Sequence, residues 1–159
     1  MPVRDRMAEK LLFQGLTQDQ LERVAEIIKI REIPMGGVVV NERGYGDALY
    51  LIDKGRVAVR VASPEGDRVV ADLRAPRGGE ISYEGDFFGE MCLLDLEPRC
   101  ATVVAEENCV LWEINRDDLY WLFGDDKELQ LRILLTVARV LSRRLHMMDT
   151  AAAAGARRG

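Results

Sequence analysis

The sequence predicts a mainly β domain flanked by helices, in the form of a sandwich, barrel or jelly roll. Three observations predict it. Residues 35–115 hold many short apolar runs, several with period two. Turns containing Gly44, Gly46, Gly55, Gly66 and Gly85 separate those runs. On either side, the apolar spacing changes to that of helices.

Residues 8–33 form a helical zone by pattern. Thr17 can cap the run 18–29, which places Leu21, Val24, Ala25, Ile27 and Ile28 mostly on one face. Pro34, then Gly36 and Gly37, closes the zone. Within 35–115 the runs 38–40 and 48–52 read as strands, and 56–62 sets Val57, Val59 and Val61 against Ala58, Arg60 and Ala62. Pro64 to Asp67 supplies turn chemistry, after which 68–74 alternates again. The runs 101–105 and 110–114 complete the set. Asn115 then caps a helix over 116–123, and Gly124 to Asp126 interrupts it. A long helix is expected over 127–148. In it Leu131, Leu134, Ala138, Leu141, Leu145 and Met148 step by 3, 4, 3, 4, 3. That is a heptad seam, favouring a second helix and hence a homodimer; the alternative is a helix lying on its own barrel. The reading is one domain over 1–150 with a flexible tail over 151–159.

Composition narrows the function. The chain is 48% hydrophobic and 31% charged, as a folded globular protein is, and carries a formal net charge of −5. An acidic balance disfavours nonspecific nucleic-acid binding. The first sixteen residues hold no apolar signal core, and no run approaches the ~20 residues that span a bilayer, so neither a membrane nor export is expected. Cys92, Cys100 and Cys109 fit neither a disulfide framework nor a metal knuckle, which suggests reduced thiols in the cytoplasm. The single histidine, His146, cannot build a multi-histidine metal site, and no metal or cofactor is expected. Trp112 and Trp121 read as core or helix-packing residues, and Arg132, Arg139, Arg143 and Arg144 as a solvated helix face. There is no activated nucleophile, H-E-x-x-H motif or P-loop, so catalysis is not expected.

The informative stretch runs from Gly85 to Ala105. A strand ends at Phe88, and Gly89 lets the backbone approach a ligand closely. A helical turn over 90–94 follows, and Arg99 returns after Pro98 with a planar fork suited to phosphate. The sequence FGEMCLL-DLE-PRCATVVA resembles the phosphate-binding cassette of cyclic-nucleotide-binding domains, the family of catabolite activator proteins and regulatory subunits of cyclic-nucleotide-dependent kinases. Its Glu-to-Arg spacing of nine fits the kinase-type cassette. Upstream, GYGDALYLIDKGRV is similar to the family's G-x-x-G-D-x-x-Y-x-I-x-x-G-x-V strand pair.

The resemblance spans residues 10–148 and implies a double-stranded β-helix (jelly roll) with an N-terminal helix and a long C-terminal helix. It further implies that the ligand is cAMP or cGMP, bound through Phe88, Gly89, Glu90, Met91, Cys92, Arg99, Cys100 and Ala101. Arg99 would hold the cyclic phosphate with N–H groups of Gly89 to Cys92 and of Cys100, while Glu90 would accept the ribose 2′-hydroxyl. Cys92 and Cys100 replace the family's usual small residues, and Cys100 leaves the choice of base open. Residues 74–84 exceed the family's brief turn. Met148 and Asp149 are candidates to contact the base where activator relatives place hydroxyl side chains. Eleven residues follow Met148, too few for a helix-turn-helix, so the expected role is an input module acting on a partner protein. The rival readings are a nucleotide-free interaction domain and a sensor of another small ligand.

Overall fold

The computed structural model describes residues 3–40, 46–76, 85–94 and 101–157, with side chains through His146. The chain opens with α1 (Val3–Arg6) and two 3-10 turns, Met7–Glu9 and Leu11–Phe13, and continues through α2 (Gln18–Ala25). The strands are β1 (Ile28–Ile33), β2 (Val38–Val40), β3 (Ala48–Lys54), β4 (Arg56–Val61), β5 (Arg68–Arg74), β6 (Phe87–Phe88), β7 (Thr102–Ala105) and β8 (Cys109–Asn115). A 3-10 turn, Glu90–Leu93, follows β6, and α3 (Arg116–Asp125) and α4 (Lys127–Arg157) close the chain.

Among the described residues the strands form two four-stranded antiparallel sheets, ordered β1-β8-β3-β6 and β2-β7-β4-β5. These facing sheets are the predicted jelly roll. β3 explains its own lack of alternation, because Ala48 to Asp53 is buried on both faces. Tyr50 and Ile52 point between the sheets with Val57, Phe88, Val103 and Leu111. Leu49 and Leu51 point the other way, joining Phe87, Trp112 and Ile114 under the helices. That second core is closed by Leu119 and Phe123 of α3 and by Leu129, Ile133, Val137 and Val140 of α4. Each fully buried Leu or Ile contributes roughly 1.5–3 kcal/mol, so two stacked cores hold the helices firmly to one sheet.

The local signals operate largely as expected. Thr17 forms a reciprocal cap with Gln20: the Gln20 N–H donates to Thr17 Oγ1 (3.2 Å) and the Thr17 N–H to Gln20 Oε1 (2.9 Å). Asn115 accepts from the Asp117 and Asp118 N–H groups at 2.8 and 3.2 Å. Asp126 starts α4, accepting the Leu129 N–H at 3.0 Å and the Gln20 side-chain amide at 3.1 Å; these bonds lower its carboxyl pKa.

Four expectations are corrected. The helix expected over 18–29 stops at Ala25, and Ile28–Ile33 is instead an edge strand paired with β8 from Ile28↔Ile114 to Ile33↔Cys109. Ile28 and Ile30 alternating with Lys29 and Arg31 suit a strand, and pairing with β8 outweighs the helical spacing of Ile27 and Ile28. The expected break at 124–126 narrows to Asp126, since α3 runs through Asp125. The segment 151–157 is helical, not a flexible tail, as four consecutive alanines extend α4 to Arg157. Trp121 is 73% exposed, whereas Trp112 is fully buried as expected. Its place on α3 explains the difference: Leu119, Leu122 and Phe123 take the inward positions.

Candidate ligand site

The strand β6 carries the chain toward the site and is pinned before it starts, where the Ile52 N–H donates to the Asp86 carbonyl at 2.7 Å. Phe88 stacks on Tyr50 with centroids 5.1 Å apart and is buried, so its ring belongs to the barrel wall. Gly89 adopts φ +82°, a left-handed conformation that turns the chain sharply into the 3-10 segment. The Cys92 N–H donates back to the Gly89 carbonyl at 3.2 Å. The amides of Gly89 to Cys92 are therefore not all uncommitted, and Cys92 uses its own to close the turn.

Glu90, the first residue of that turn, is buried. Arg144 of α4 donates to Glu90 Oε1 at 3.0 Å and to the Phe87 carbonyl at 3.0 Å, with its guanidinium 5.5 Å from the centre of the Phe87 ring. This corrects the view of Arg144 as part of a solvated face. Gly85 makes room for it: a Cβ there would lie 2.5 Å from Arg144 Nη2 and 3.3 Å from Val140, and φ of +99° adds a second barrier to a side chain. The sequence does hold a signal for Arg144. Continuing the buried steps Leu129, Ile133, Val137 and Val140 by four leads to an arginine in the inward register.

The other expected site residues divide. Cys92 is buried in the core beneath the turn, Met91 is exposed, and Ala101 is half-buried just before β7. Cys109, outside the site, is also buried, and its thiol contacts the Arg56 carbonyl while burial pushes its pKa up. Arg99, Cys100, the side chains of Met148 and Asp149, and residues 77–84 of the longer turn lie outside the described residues. Two functional neighbours escaped the sequence reading: Arg116 and Tyr120 of α3 donate to the Cys92 and Leu93 carbonyls. Chemically, the site joins a tight left-handed entry, a buried carboxylate and an arginine that neutralises it. Among the described residues no group of three or more His, Cys, Asp or Glu could hold a metal ion.

A family model described as the cyclic nucleotide-binding domain matches residues 30–126. The chain is 35% identical over 128 residues to a cAMP-dependent protein kinase regulatory subunit of Neurospora crassa, covering 72% of this chain and 33% of that protein. It is 30% identical over 135 residues to a cGMP-dependent protein kinase of Toxoplasma gondii, covering 85% of this chain and 12% of the kinase. Among solved structures, the catabolite activator protein of Thermus thermophilus superposes with a TM-score of 0.73 at 28% identity, covering 92% of this chain and 63% of that one. The regulatory domain of Toxoplasma gondii PKA, solved with cAMP, gives 0.63 at 27% identity, covering 75% and 42%. The chain thus spans a third or less of these two kinase-related proteins. The fold defines a jelly-roll barrel flanked by helices. The chain belongs to the cyclic nucleotide-binding domain family.

Proposed function

We propose that this domain is a non-catalytic sensor of cAMP or cGMP that signals through α4. The observation that carries the reading is the buried Glu90 carboxylate at the start of the cassette turn, neutralised by Arg144 from the helix that would transmit the signal. The phosphate is gripped by Arg99 and by backbone N–H groups of the turn around Gly89, Glu90 and Met91, while the ribose 2′-hydroxyl donates to Glu90. Ala101 and Cys100 flank the phosphate, and Met148 and Asp149, at the far end of α4, are the base contacts. The residues fit an anion: beside a phosphate an unpaired Glu90 would repel, and Arg144 removes that repulsion. Ligand affinity and the docking of α4 then depend on one ion pair, so each must influence the other.

The output is a protein surface. Leu131 and Leu145 are 65% and 61% exposed, Ala138 is exposed, and Leu134 and Leu141 are half-buried. Barrel packing uses mainly another stripe, Leu129, Ile133, Val137 and Val140, with Leu134 and Leu141 partly packed against the same core, so the outer part of the seam is Leu131, Ala138 and Leu145. A second copy of the chain is its proposed occupant, with a partner protein reading the resulting dimer. Among the described residues, no helix is long and apolar enough to cross a membrane. The buried thiol of Cys109 fits a cytoplasmic setting.

Titration with cAMP, cGMP and their 2′-deoxy forms tests this assignment. One ribonucleotide binds at micromolar affinity or better, and its 2′-deoxy form binds about tenfold more weakly, because the Glu90 acceptor loses its donor. Equal affinity for both forms would overturn the role of Glu90. Absence of binding by all four would overturn the sensor reading.

A further inference from the structure

The cassette turn is four residues long, too short to fix its own orientation, and it ends at the Cys92 and Leu93 carbonyls. Those carbonyls are met from α3. Arg116 Nε donates to the Cys92 carbonyl at 2.6 Å, and the Tyr120 hydroxyl donates to the Leu93 carbonyl. The two donors brace each other, with the Arg116 guanidinium 4.5 Å from the centre of the Tyr120 ring. Tyr120 also packs edge-on against Phe123, which is buried in the core, at 5.5 Å. Arg116 is itself fixed by its backbone, whose N–H donates to the Asp47 carbonyl at 2.6 Å. The end of the turn is thus tied to a helix anchored in the core.

We infer that Arg116 and Tyr120 are positioning residues for the cyclic-nucleotide site: by holding the Cys92 and Leu93 carbonyls they set the orientation of the turn and, through it, of Glu90. The assignment rests on the sensor reading above. Neither residue touches the nucleotide. Each acts through the backbone of the turn, so its loss weakens the grip on ribose and phosphate alike and leaves the choice of base unchanged.

The test uses Arg116→Gln, Arg116→Lys and Tyr120→Phe, the last removing a single hydroxyl and keeping the ring. Amide hydrogen exchange is measured first without ligand, at Glu90–Leu93 and, as a reference, in β8 (Cys109–Asn115). Arg116→Gln and Tyr120→Phe speed exchange in the turn while β8 stays protected, and Arg116→Lys, which keeps a charged donor, restores part of the protection. Nucleotide affinity then falls about tenfold in the same two variants, by the same factor for cAMP and cGMP. Unchanged exchange in the turn, or faster exchange that extends equally to β8, overturns the assignment. So does a loss of affinity that differs between the two bases. If the wild type binds neither nucleotide, the sensor reading fails while the exchange experiment still decides whether α3 positions the turn.

Discussion

Arg144 and Glu90, 54 residues apart in sequence, form an ion pair at 3.0 Å that ties the C-terminal helix to the cassette turn. Two effects of this pair on an anionic ligand compete. A carboxylate already bonded to arginine is a weaker acceptor for a ribose hydroxyl, by about 1 kcal/mol at most. An un-neutralised carboxylate about 6 Å from a phosphate repels it by roughly 3 kcal/mol at an effective dielectric of about 20. Repulsion wins. Arg144→Gln should therefore weaken cyclic-nucleotide binding by about tenfold or more, as measured by calorimetric titration. Tighter binding in this variant would show that Arg144 competes with the ligand.

Asp86, next to the turn, is fully buried, and its Oδ2 accepts the Leu11 N–H at 3.3 Å while Oδ1 has no hydrogen-bond partner among the described residues. Burial pushes its pKa up to about 6, against the opposing pull of the Leu11 N–H and Lys10. A carboxyl raised in this way binds its proton more tightly in the folded state. Its contribution to stability is complete below pH ~4 and is lost as pH rises through about 6, on the order of 2–3 kcal/mol in all. Denaturant unfolding of Asp86→Asn should accordingly show a flatter stability profile than wild type between pH 4 and 7. Parallel profiles would place the titration elsewhere.

Lys10 is 1% exposed, with its ammonium 3.0 Å from Asp53 Oδ1 and 4.5 Å from the centre of the Trp112 ring. Arg6 reaches the other Asp53 oxygen at 2.6 Å. These contacts fasten the N-terminal turns to β3. Removing one partner of a buried pair leaves a charge poorly compensated, so Lys10→Met should cost about 3 kcal/mol in equilibrium unfolding. A cost below ~1 kcal/mol would mean that Arg6 alone satisfies Asp53.

How much of this was legible in the sequence follows from distance along the chain. Thr17 and Asn115 act within a few residues and cap their helices as read, and 56–61 forms a strand, although Val57 and Ala58 are both buried instead of alternating. The cassette was also a local signal, because Phe88 to Glu90 and the turn that follows are contiguous. The edge strand β1 was hidden, since Ile27 and Ile28 prolong the apolar spacing of α2 and only β8, some 80 residues away, supplies the strand's partner. Contacts between Lys10 and Asp53, Arg116 and Cys92, and Arg144 and Glu90 join residues 24 to 54 positions apart, and no periodicity encodes them.

Leu131 and Leu145, the most exposed leucines of α4, lie on the proposed dimer seam. Sedimentation equilibrium should find a dimer for wild type and a monomer for the double variant Leu131→Glu, Leu145→Glu, with the thermal midpoint little changed because neither side chain enters the barrel core. A wild type that is monomeric throughout the micromolar range would remove the seam from the account.

Occupancy of the cassette by a cyclic nucleotide should give a binding heat that depends on Arg99. Isothermal titration calorimetry with cAMP and cGMP, on wild type and Arg99→Ala in parallel, tests it most directly. Wild type should bind one nucleotide at micromolar affinity or tighter, and the variant should lose more than tenfold (over about 1.4 kcal/mol). No heat from either nucleotide, with folded wild type free of copurified ligand, would contradict it.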